Sequence, residues 1–309
     1  MRKPRILVSF RTEQNCYQKL NATVAEEVGL RLGVAVHVLY ANNDAITQSE
    51  QLLHAIQSSS ADARPDGILC HPVGTTLMRV ARQAAAAGIG WALLNREDDY
   101  IEGLRRSYQV PMFSVAVDQA EIGRIQGRQI EALLPQGGLV LCLLGPTGNP
   151  VGEQRLKWMQ SAKPANVQVR TLTGDWSEQG GHNAVTRWLQ LRTSHETPVA
   201  LIAGQNDDMA MGARRAFEEQ TNGSQGSRWT SLPYIGCDYC PGAGQEWVRR
   251  GLLTASIISP PVAGVALEMM VRAVQNKSQG PKRTIVDPSS HPSIEMLAGR
   301  AADTMQTEV

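Results

Sequence analysis

Amide, carboxylate, guanidinium and aromatic side chains recur in this sequence shortly after apolar runs. With a histidine and a serine, they include Asn15, Tyr17, His71, Asn95, Arg96, Arg155, Trp176, Asn206, Asp238 and Ser259, together with Gln14, Asp118, Asp175, Gln205 and Asp207. Fixed groups of these types supply the donors and acceptors that a polyhydroxylated ligand needs. The flat faces of Tyr17 and Trp176 suit the C–H surface of a sugar ring. This pattern favours non-covalent binding of a small polar ligand.

Sequence signatures of catalysis and of metal binding are missing. The six histidines include no H-E-x-x-H, no Cys/His cluster has the spacing of a structural zinc site, and no G-x-S-x-G nucleophile motif occurs. The segment GPTGNPVG resembles a phosphate-binding loop but lacks the G-K-[ST] ending that places the cation and the magnesium hydroxyl. We therefore predict that the protein is not an enzyme and takes no cofactor and no metal ion.

The chain has five cysteines, and two of them are close in sequence. Cys237 and Cys240 form a C-x-x-C, a spacing found in redox and zinc sites, but no second cysteine pair exists. We interpret them as a strand-end residue followed by a loop residue. The odd number of cysteines and their place in or beside apolar runs favour a reducing compartment.

Length and charge fit a pair of globular domains. The chain has 309 residues, which is about two average domains. Lys and Arg number 30 against 29 Asp and Glu, and the formal charge of +1 gives no field that would attract nucleic acid or an anionic membrane. The longest apolar stretch, Ala84–Leu94, is too short to cross a bilayer.

Short aliphatic runs alternate with stretches of helical period along the whole chain, and these elements must position the polar set. Near-continuous apolar runs such as LVLCLL and VALIA are typical of parallel strands that are buried on both faces. The alternation predicts an α/β fold of two doubly wound parallel-sheet halves, divided near Val117 and Asp118. Ligands bind outside the carboxyl ends of such strands. At the end of the chain, Ser289–Pro292 is predicted as a turn and Ile294–Met305 as a short helix packed on one lobe.

An ordered set of motifs extends over residues 5–287. The most specific reads QNDDMAMGA, from Gln205 to Ala213. The supporting motifs are Val117-Asp118-Gln119 with Gly123 and Gly127, Arg155-x-x-Trp158, Ile235-Gly236-Cys237-Asp238 and Gly251–Ile257. Together they resemble the ribose- and galactose-type periplasmic sugar-binding proteins, whose type I periplasmic binding protein fold is shared with the ligand-binding cores of lac-repressor-type regulators.

The resemblance implies two lobes that are joined by a three-segment hinge and close on a sugar in the cleft between them. The N-terminal lobe would comprise residues 1–117 and 260–287, and the C-terminal lobe residues 118–259 and 288–309. Carried over by position, the ligand contacts of the first lobe are Asn15, Tyr17, His71, Asn95 and Arg96. Those of the second lobe are Arg155, Trp176, Asn206 and Asp238, with Ser259 at a hinge crossing.

Four positions depart from the family pattern. They are His71 for the usual Asn, Asn95 for Asp, Cys237 for an aromatic residue and Ser259 for a common Gln. The site stays sugar-like, but ribose itself is not expected. Asp238, as the main remaining carboxylate, favours a neutral polyol, whereas Arg96 and Arg155 leave an acidic ligand or a sugar phosphate as an alternative.

The resemblance favours a solute receptor that delivers a small sugar or polyol to the permease of an ATP-driven importer. The alternative is a cytoplasmic sugar sensor or regulator core with a signalling partner. No DNA-binding segment precedes Arg5, so direct contact with nucleic acid is not expected. The N-terminus MRKPRILVSF lacks the apolar core of a secretory signal. That absence suggests the cytoplasm, whereas the resemblance suggests the periplasm. We expect a monomer.

Overall fold

A computed structural model describes residues 3–58, 60, 64–74, 77–192, 194, 198–220 and 228–299. The chain forms two compact units. Unit 1 contains the chain up to Val117 together with Pro261–Val286, and unit 2 contains Asp118–Pro260 together with the chain from Asp287. The backbone therefore passes between the units three times, after Val117, after Pro260 and after Val286.

Unit 1 is a parallel sheet with helices. Its strands are β1 (Arg5–Phe10), β2 (Ala35–Tyr40), β3 (Gly67–Cys70), β4 (Gly90–Leu94), β5 (Met112–Val117) and β11 (Arg283–Val286). Its helices are α1 (Cys16–Leu32), α2 (Ala45–Ile56), α3 (Met78–Ala86), α4 (Tyr100–Ser107) and α10 (Ala263–Gln275). The strand order is β11-β5-β4-β3-β1-β2, and every pairing is parallel.

The central strands of unit 1 are apolar along their whole length because both of their faces are covered. Every residue of β3, β4 and β5 is buried. Trp91 on β4 is fully buried and packs in a cluster with Leu52 of α2 and Leu104 of α4. Each such large side chain contributes roughly 1.5–3 kcal/mol through removal of its apolar surface from water.

Unit 2 repeats this plan. Its strands are β6 (Gly138–Leu144), β7 (Val167–Thr173), β8 (Val199–Gly204), β9 (Tyr234–Asp238), β10 (Ala255–Ile258) and β12 (Ser289–His291). Its helices are α5 (Gln119–Leu133), α6 (Pro150–Ala162), α7 (Glu178–Leu189), α8 (Asp207–Gln220) and α9 (Gly244–Arg249). The strand order is β12-β10-β9-β8-β6-β7, and only the β10–β12 pairing is antiparallel. The predicted α/β class with two doubly wound lobes is confirmed.

Alternate residues of β6 face two separate hydrophobic clusters. Leu141 and Leu143 belong to the cluster that contains Phe217 and Trp229, whose rings stack with centroids 4.4 Å apart. Val140 belongs to the cluster on the other face of the sheet. This alternation follows from the two-residue period of a strand. Because the residues on each face of the strand contact an apolar cluster, every residue of the LVLCLL run is apolar.

Two glycines of α5 permit close packing against α6. A Cβ on Gly123 would clash with the carbonyl of Arg155 and would lie 2.9 Å from Cβ of Trp158. A Cβ on Gly127 would lie 2.7 Å from Cβ of Ala162. Real Cβ atoms do not approach so closely, and the spacing of Gly123 and Gly127 thus has a packing cause.

The structure adds one helix, corrects one predicted turn and agrees with one predicted helix over its described residues. Helix α4 was not predicted, because its eight residues carry only a short apolar face, Ile101 and Leu104. Ser289–Pro292, predicted as a turn, contains strand β12, which adds three residues to the edge of the unit 2 sheet. Residues 294–299 are helical and bury Leu297 in a unit 2 cluster, while the rest of the predicted Ile294–Met305 helix lies outside the described residues.

Candidate functional site

Polar side chains follow directly after three neighbouring strands of unit 1. Arg11 follows β1, His71 follows β3 and Asn95 follows β4, and the sheet places these strands side by side. Because the strands are parallel, the residues that follow them meet at one edge of the sheet. The sequence analysis placed His71 and Asn95 at this edge but gave no role to Arg11.

His71 is held on its backbone and on its ring. Its N–H donates to the Ser9 carbonyl at 2.8 Å, and its carbonyl accepts from Gln48 Nε2 at 3.0 Å. Gln18 Nε2 donates to Nδ1 of the ring at 2.8 Å, while Gln18 Oε1 accepts from the Arg11 N–H at 3.3 Å. With Nδ1 accepting, the neutral ring carries its proton on Nε2.

The environment of His71 keeps the ring neutral. Burial, followed by the positive charges of Arg11 and Arg96, lowers the pKa of His71 from 6.5 to about 3. Desolvation disfavours the charged imidazolium, and nearby guanidinium groups add like-charge repulsion. A neutral imidazole with a proton on Nε2 can donate a hydrogen bond to a ligand oxygen.

The start of α1 contributes Asn15 and Tyr17. Asn15 caps the helix, and its side chain accepts from the Gln18 N–H at 3.1 Å. Tyr17 is buried, and its carbonyl accepts from Asn21 Nδ2 at 2.9 Å. An Asn three residues before a Gln is a recognised helix-start pattern. The hydrogen bond from the Gln18 N–H to Asn15 fixes the first turn of α1.

Asn95 and Arg96 stand at the end of β4. Asn95 has a positive φ of 55°, and its Oδ1 accepts from the Val117 N–H at 3.3 Å. Arg96 Nη1 donates to the Gly74 carbonyl at 2.8 Å, and Nη2 pairs with Asp98 at 3.1 Å. Nε of Arg96 is buried without a hydrogen-bond partner among the described residues. Part of this guanidinium therefore remains available.

In unit 2, the predicted residues also follow neighbouring strands. Ser259 follows β10, Asp238 ends β9 and Asn206 follows β8, and these strands are adjacent. Trp176 follows β7, and Arg155 lies on α6. The structure thus brings each predicted set to the carboxyl edge of its own sheet.

Arg155 is a buried cation held in a fixed direction. Its Nε donates to Gln119 Oε1 at 2.7 Å, and its Nη1 donates to the Gln205 carbonyl at 2.6 Å. Its guanidinium carbon lies 5.6 Å from the centroid of the Trp176 ring. A charged group that is already oriented loses little freedom when it binds a ligand.

Asn206 joins the β8 loop to Trp176. Its Nδ2 donates to the Trp176 carbonyl at 2.9 Å, and its Oδ1 accepts from the Met209 N–H at 3.0 Å. Trp176 has a φ of 73°, which bulky residues rarely adopt, and its indole lies against Gly145, where a Cβ would clash. The Trp176 backbone is thus held by Asn206, and its indole is held by the contact with Gly145.

Asp238 and Asp207 form a buried acidic pair. Burial raises the pKa of Asp238 to about 8, although the positive charge of Arg155 opposes the rise. Burial and then the negative charge of Asp238 raise the pKa of Asp207 well above its usual range. Asp207 accepts hydrogen bonds from the Tyr239 N–H and the Ser256 hydroxyl, both at 2.7 Å. Both carboxyls therefore carry less negative charge near neutral pH than exposed aspartates.

The Ser259 hydroxyl is buried without a hydrogen-bond partner among the described residues. Its backbone N–H points to the Asp238 carbonyl at 3.5 Å. A buried hydroxyl without a partner costs roughly 1–3 kcal/mol. A ligand that supplied a partner would recover this free energy.

Sequence reasoning missed the glutamines that position the site. Gln18 and Gln48 hydrogen-bond to His71, and Gln119 hydrogen-bonds to Arg155. Gln205 joins two loop segments: it accepts from the Gly145 N–H at 3.0 Å and donates to the Gly152 carbonyl at 2.7 Å. Gln119 and Gln205 lie inside the quoted motifs, which was the available signal.

The described residues provide no metal site and no membrane helix. No group of three or more His, Cys, Asp or Glu side chains among them is arranged to hold an ion. Among the described helices, none is long and apolar enough to cross a bilayer. The five cysteines, all of them within the described residues, form no disulfide; Cys16 is half-buried and the other four are buried.

Comparison with known families identifies the chain over most of its length. Residues 6–278 match the family described as "Periplasmic binding protein domain". A Rhizobium meliloti protein that is named for rhizopine binding is 28% identical over 192 residues, which cover 60% of this chain and 58% of the length of that relative.

Solved structures share the fold. A periplasmic solute binding protein of an ABC transporter from Actinobacillus succinogenes, with bound D-allose, superposes with a TM-score of 0.78 at 22% identity, over 93% of this chain and 97% of the other. A solute binding protein from Bacillus halodurans, with bound myo-inositol, gives 0.77 at 18% identity, over 97% and 98%.

Proposed function

The chain belongs to the periplasmic binding protein family, and on that premise we propose that it binds a small sugar or polyol reversibly and leaves it chemically unchanged. The observation that carries the proposal is the pair of prearranged polar edges. In each unit, buried glutamines hold the polar side chains that follow the strands, with His71 in unit 1 and Arg155 in unit 2 as the clearest cases.

These groups suit hydroxyl ligands because both donors and acceptors are fixed before binding. Arg155 and the neutral His71 supply donors, and Asp238 supplies a carboxyl group. The Trp176 indole offers an apolar face for a sugar ring. Prior fixation lowers the entropy cost of binding, so more of each hydrogen bond appears as affinity.

We propose further that one solute is held jointly by the two sets and that its binding favours a closed arrangement of the units. A ligand can shift such an equilibrium only through its greater affinity for the closed state. The names of the structural relatives, which carry allose and myo-inositol, support the ligand class. Their description as ABC transporter components supports a role as a solute receptor for an importer.

A thermal-shift screen of the intact chain tests the ligand class. Pentoses, hexoses, inositols and their acidic derivatives are compared at equal concentration, since a bound ligand stabilises the folded chain according to its concentration relative to Kd. We expect at least one member to raise the Tm. No shift across the panel would contradict the proposal.

Uptake measurements in the native host test the transport role. Deletion of the gene should abolish accumulation of the radiolabelled ligand identified by the screen, and a plasmid copy should restore it. A sensor would leave transport intact when the importer is expressed from a constitutive promoter.

A further inference from the structure

We propose, building on the sugar-binding function above, that the solute carries an anionic group, a carboxylate or a phosphate, and that Arg11 and Arg96 of unit 1 bind it. Arg11 follows β1, and Arg96 follows β4, with His71 after the strand between them. The three side chains thus belong to one edge of one sheet. This edge is rich in positive charge and in hydrogen-bond donors.

Arg11 is pinned at its backbone. Its N–H donates to Gln18 Oε1 at 3.3 Å, and its carbonyl accepts from the Asn43 N–H at 2.7 Å. Asn43 reaches this position from the loop after β2 with a φ of 58°. Both backbone groups of Arg11 are therefore hydrogen-bonded, which fixes the position from which its side chain extends.

The Arg11 guanidinium has no counter-ion among the described residues. It makes no hydrogen bond or ion pair with any of them, and burial together with the charge of Arg96 lowers its pKa. Arg96 has one carboxylate partner, Asp98, at 3.1 Å, and its buried Nε has none. Among the described residues, Asp98 is thus the one carboxylate at ion-pair distance from either guanidinium group, and it pairs with Arg96.

The other groups at this edge add donors and little acceptor capacity. The neutral His71 accepts at Nδ1 from Gln18, so Nε2 is its donor. The side-chain oxygens of Asn15 and Asn95 already accept backbone N–H groups. An anionic group supplies several acceptor oxygens and the missing negative charge, and charge-assisted hydrogen bonds to guanidinium are about twice as strong as neutral ones.

The main carboxyl of the unit 2 set carries a reduced negative charge. Burial raises the pKa of Asp238 to about 8 against the opposing charge of Arg155, so a large part of this carboxyl is protonated at pH 7. In that form it can donate a hydrogen bond to a sugar hydroxyl. A carboxyl with a raised pKa repels an anionic solute less than an ionised aspartate would, so Asp238 does not oppose the proposal.

Calorimetric titration of the intact chain with matched sets of probes tests the proposal. The sets are D-glucose, D-glucuronate and D-glucose 6-phosphate; D-galactose, D-galacturonate and D-galactose 6-phosphate; and myo-inositol with myo-inositol 1-phosphate. In at least one set, an acidic member should bind about tenfold tighter than its neutral partner or more, since charge-assisted hydrogen bonds to guanidinium are stronger than neutral ones. Preference for the carboxylate or for the phosphate identifies the source of the charge.

Two variants assign the preference to the arginine edge. Arg11→Gln should remove most of the acidic preference, measured as the ratio of the Kd values of the neutral and acidic members within the same variant. Arg106→Gln is the matched control, because Arg106 lies on the exposed face of α4 and, within the described part of the chain, its ion-pair partner is Glu102; it should bind like the unaltered chain.

Three results would overturn the inference. Equal or tighter binding of the neutral members would refute the anionic ligand while sugar binding itself stands. An acidic preference that survives Arg11→Gln would refute the assigned residue. Failure of every probe to bind would count against both the inference and the proposed function.

Discussion

Asp207 accepts a hydrogen bond from the Ser256 hydroxyl at 2.7 Å and thereby ties the start of α8 to strand β10. The other oxygen of the same carboxyl accepts the N–H of Tyr239 at 2.7 Å, directly after Asp238. Gly236 and Gly244 stand so close to this carboxyl that a Cβ on either would clash with it. Asp207 thus holds the ends of β9 and β10 together through hydrogen bonds, although it is not one of the ligand contacts that the resemblance implies.

Ser256→Ala should therefore destabilise the chain. The substitution leaves Oδ1 of Asp207 buried without its hydroxyl partner, at a cost of about 1–3 kcal/mol in the free energy of unfolding. Urea denaturation measures this change. Ser107→Ala is the control, because Ser107 lies at the exposed end of α4 and its hydroxyl donates to the Gly103 carbonyl at 3.2 Å; its effect should stay within about 0.5 kcal/mol. Equal effects of the two variants would contradict the role of Asp207.

Asp238 should make the chain less stable as pH rises. Its pKa is about 8 in the folded chain, against 3.8 for an ordinary aspartate, so the folded chain holds a proton that the unfolded chain has released. The free energy of unfolding must then fall as pH rises between these values. Asp238→Asn should flatten the fall between pH 6.5 and 8; the contribution of His71 is common to the variant and the unaltered chain and cancels when their slopes are compared.

Urea midpoints at four pH values in this window measure the effect of Asp238→Asn. Asp44→Asn serves as control, because Asp44 caps α2 at an exposed position and its pKa is lowered, mainly by a hydrogen bond from the Thr47 backbone. Its carboxylate is ionised throughout the window, and Asn also caps helices well. An unchanged slope in Asp238→Asn would contradict the raised pKa.

His71 should have the opposite effect at acid pH. Its pKa is lowered from 6.5 to about 3, so below pH 6.5 the unfolded chain gains a proton that the folded chain does not bind. Stability contributed by the neutral ring is present above pH 6.5 and is lost as pH falls towards 3. His71→Asn should reduce the acid loss, whereas His54→Asn, at an exposed position on α2, should not. The same acid loss in all three chains would refute the buried neutral imidazole.

Gly123→Ala should destabilise unit 2. The added Cβ would clash with the Arg155 carbonyl and approach Trp158, so α5 and α6 must separate. Overpacking of this kind costs about 1–3 kcal/mol. Gly103→Ala on α4 is the control, because no atom lies within 4 Å of its added Cβ, and alanine there should stabilise the helix by about 0.5–1 kcal/mol. Opposite signs in thermal unfolding are expected, and equal signs would contradict the packing argument.

The sequence predicted the fold because its local and global signals agree. Apolar strands such as β6 and helical stretches such as α5 alternate along the chain, as in α/β folds with a parallel sheet. The family assignment from the ordered motifs is confirmed by the match over residues 6–278. The sequence did not predict strand β12, because Ser289, Ser290 and His291 are polar and pair with β10 at the edge of the sheet.

The site was predictable in position but not in its supports. His71 and Asp238 could be placed because they end predicted strands. Gln18 could not be linked to His71, because the two are 53 residues apart and their contact depends on how α1 packs beside β3. Arg11 was overlooked for a similar reason, since its lack of a counter-ion appears only when its neighbours are known.

Titration calorimetry of the intact chain with the strongest ligand from the thermal-shift screen, with NMR of the recovered ligand, tests the central claim most directly. We predict saturable binding, full recovery of unchanged ligand, and affinity losses of about 2–4 kcal/mol in Arg155→Ala and Asp238→Ala, as expected for truncation of a charged or hydrogen-bonded partner. Unchanged affinity in both variants, or chemical conversion of the ligand, would contradict it.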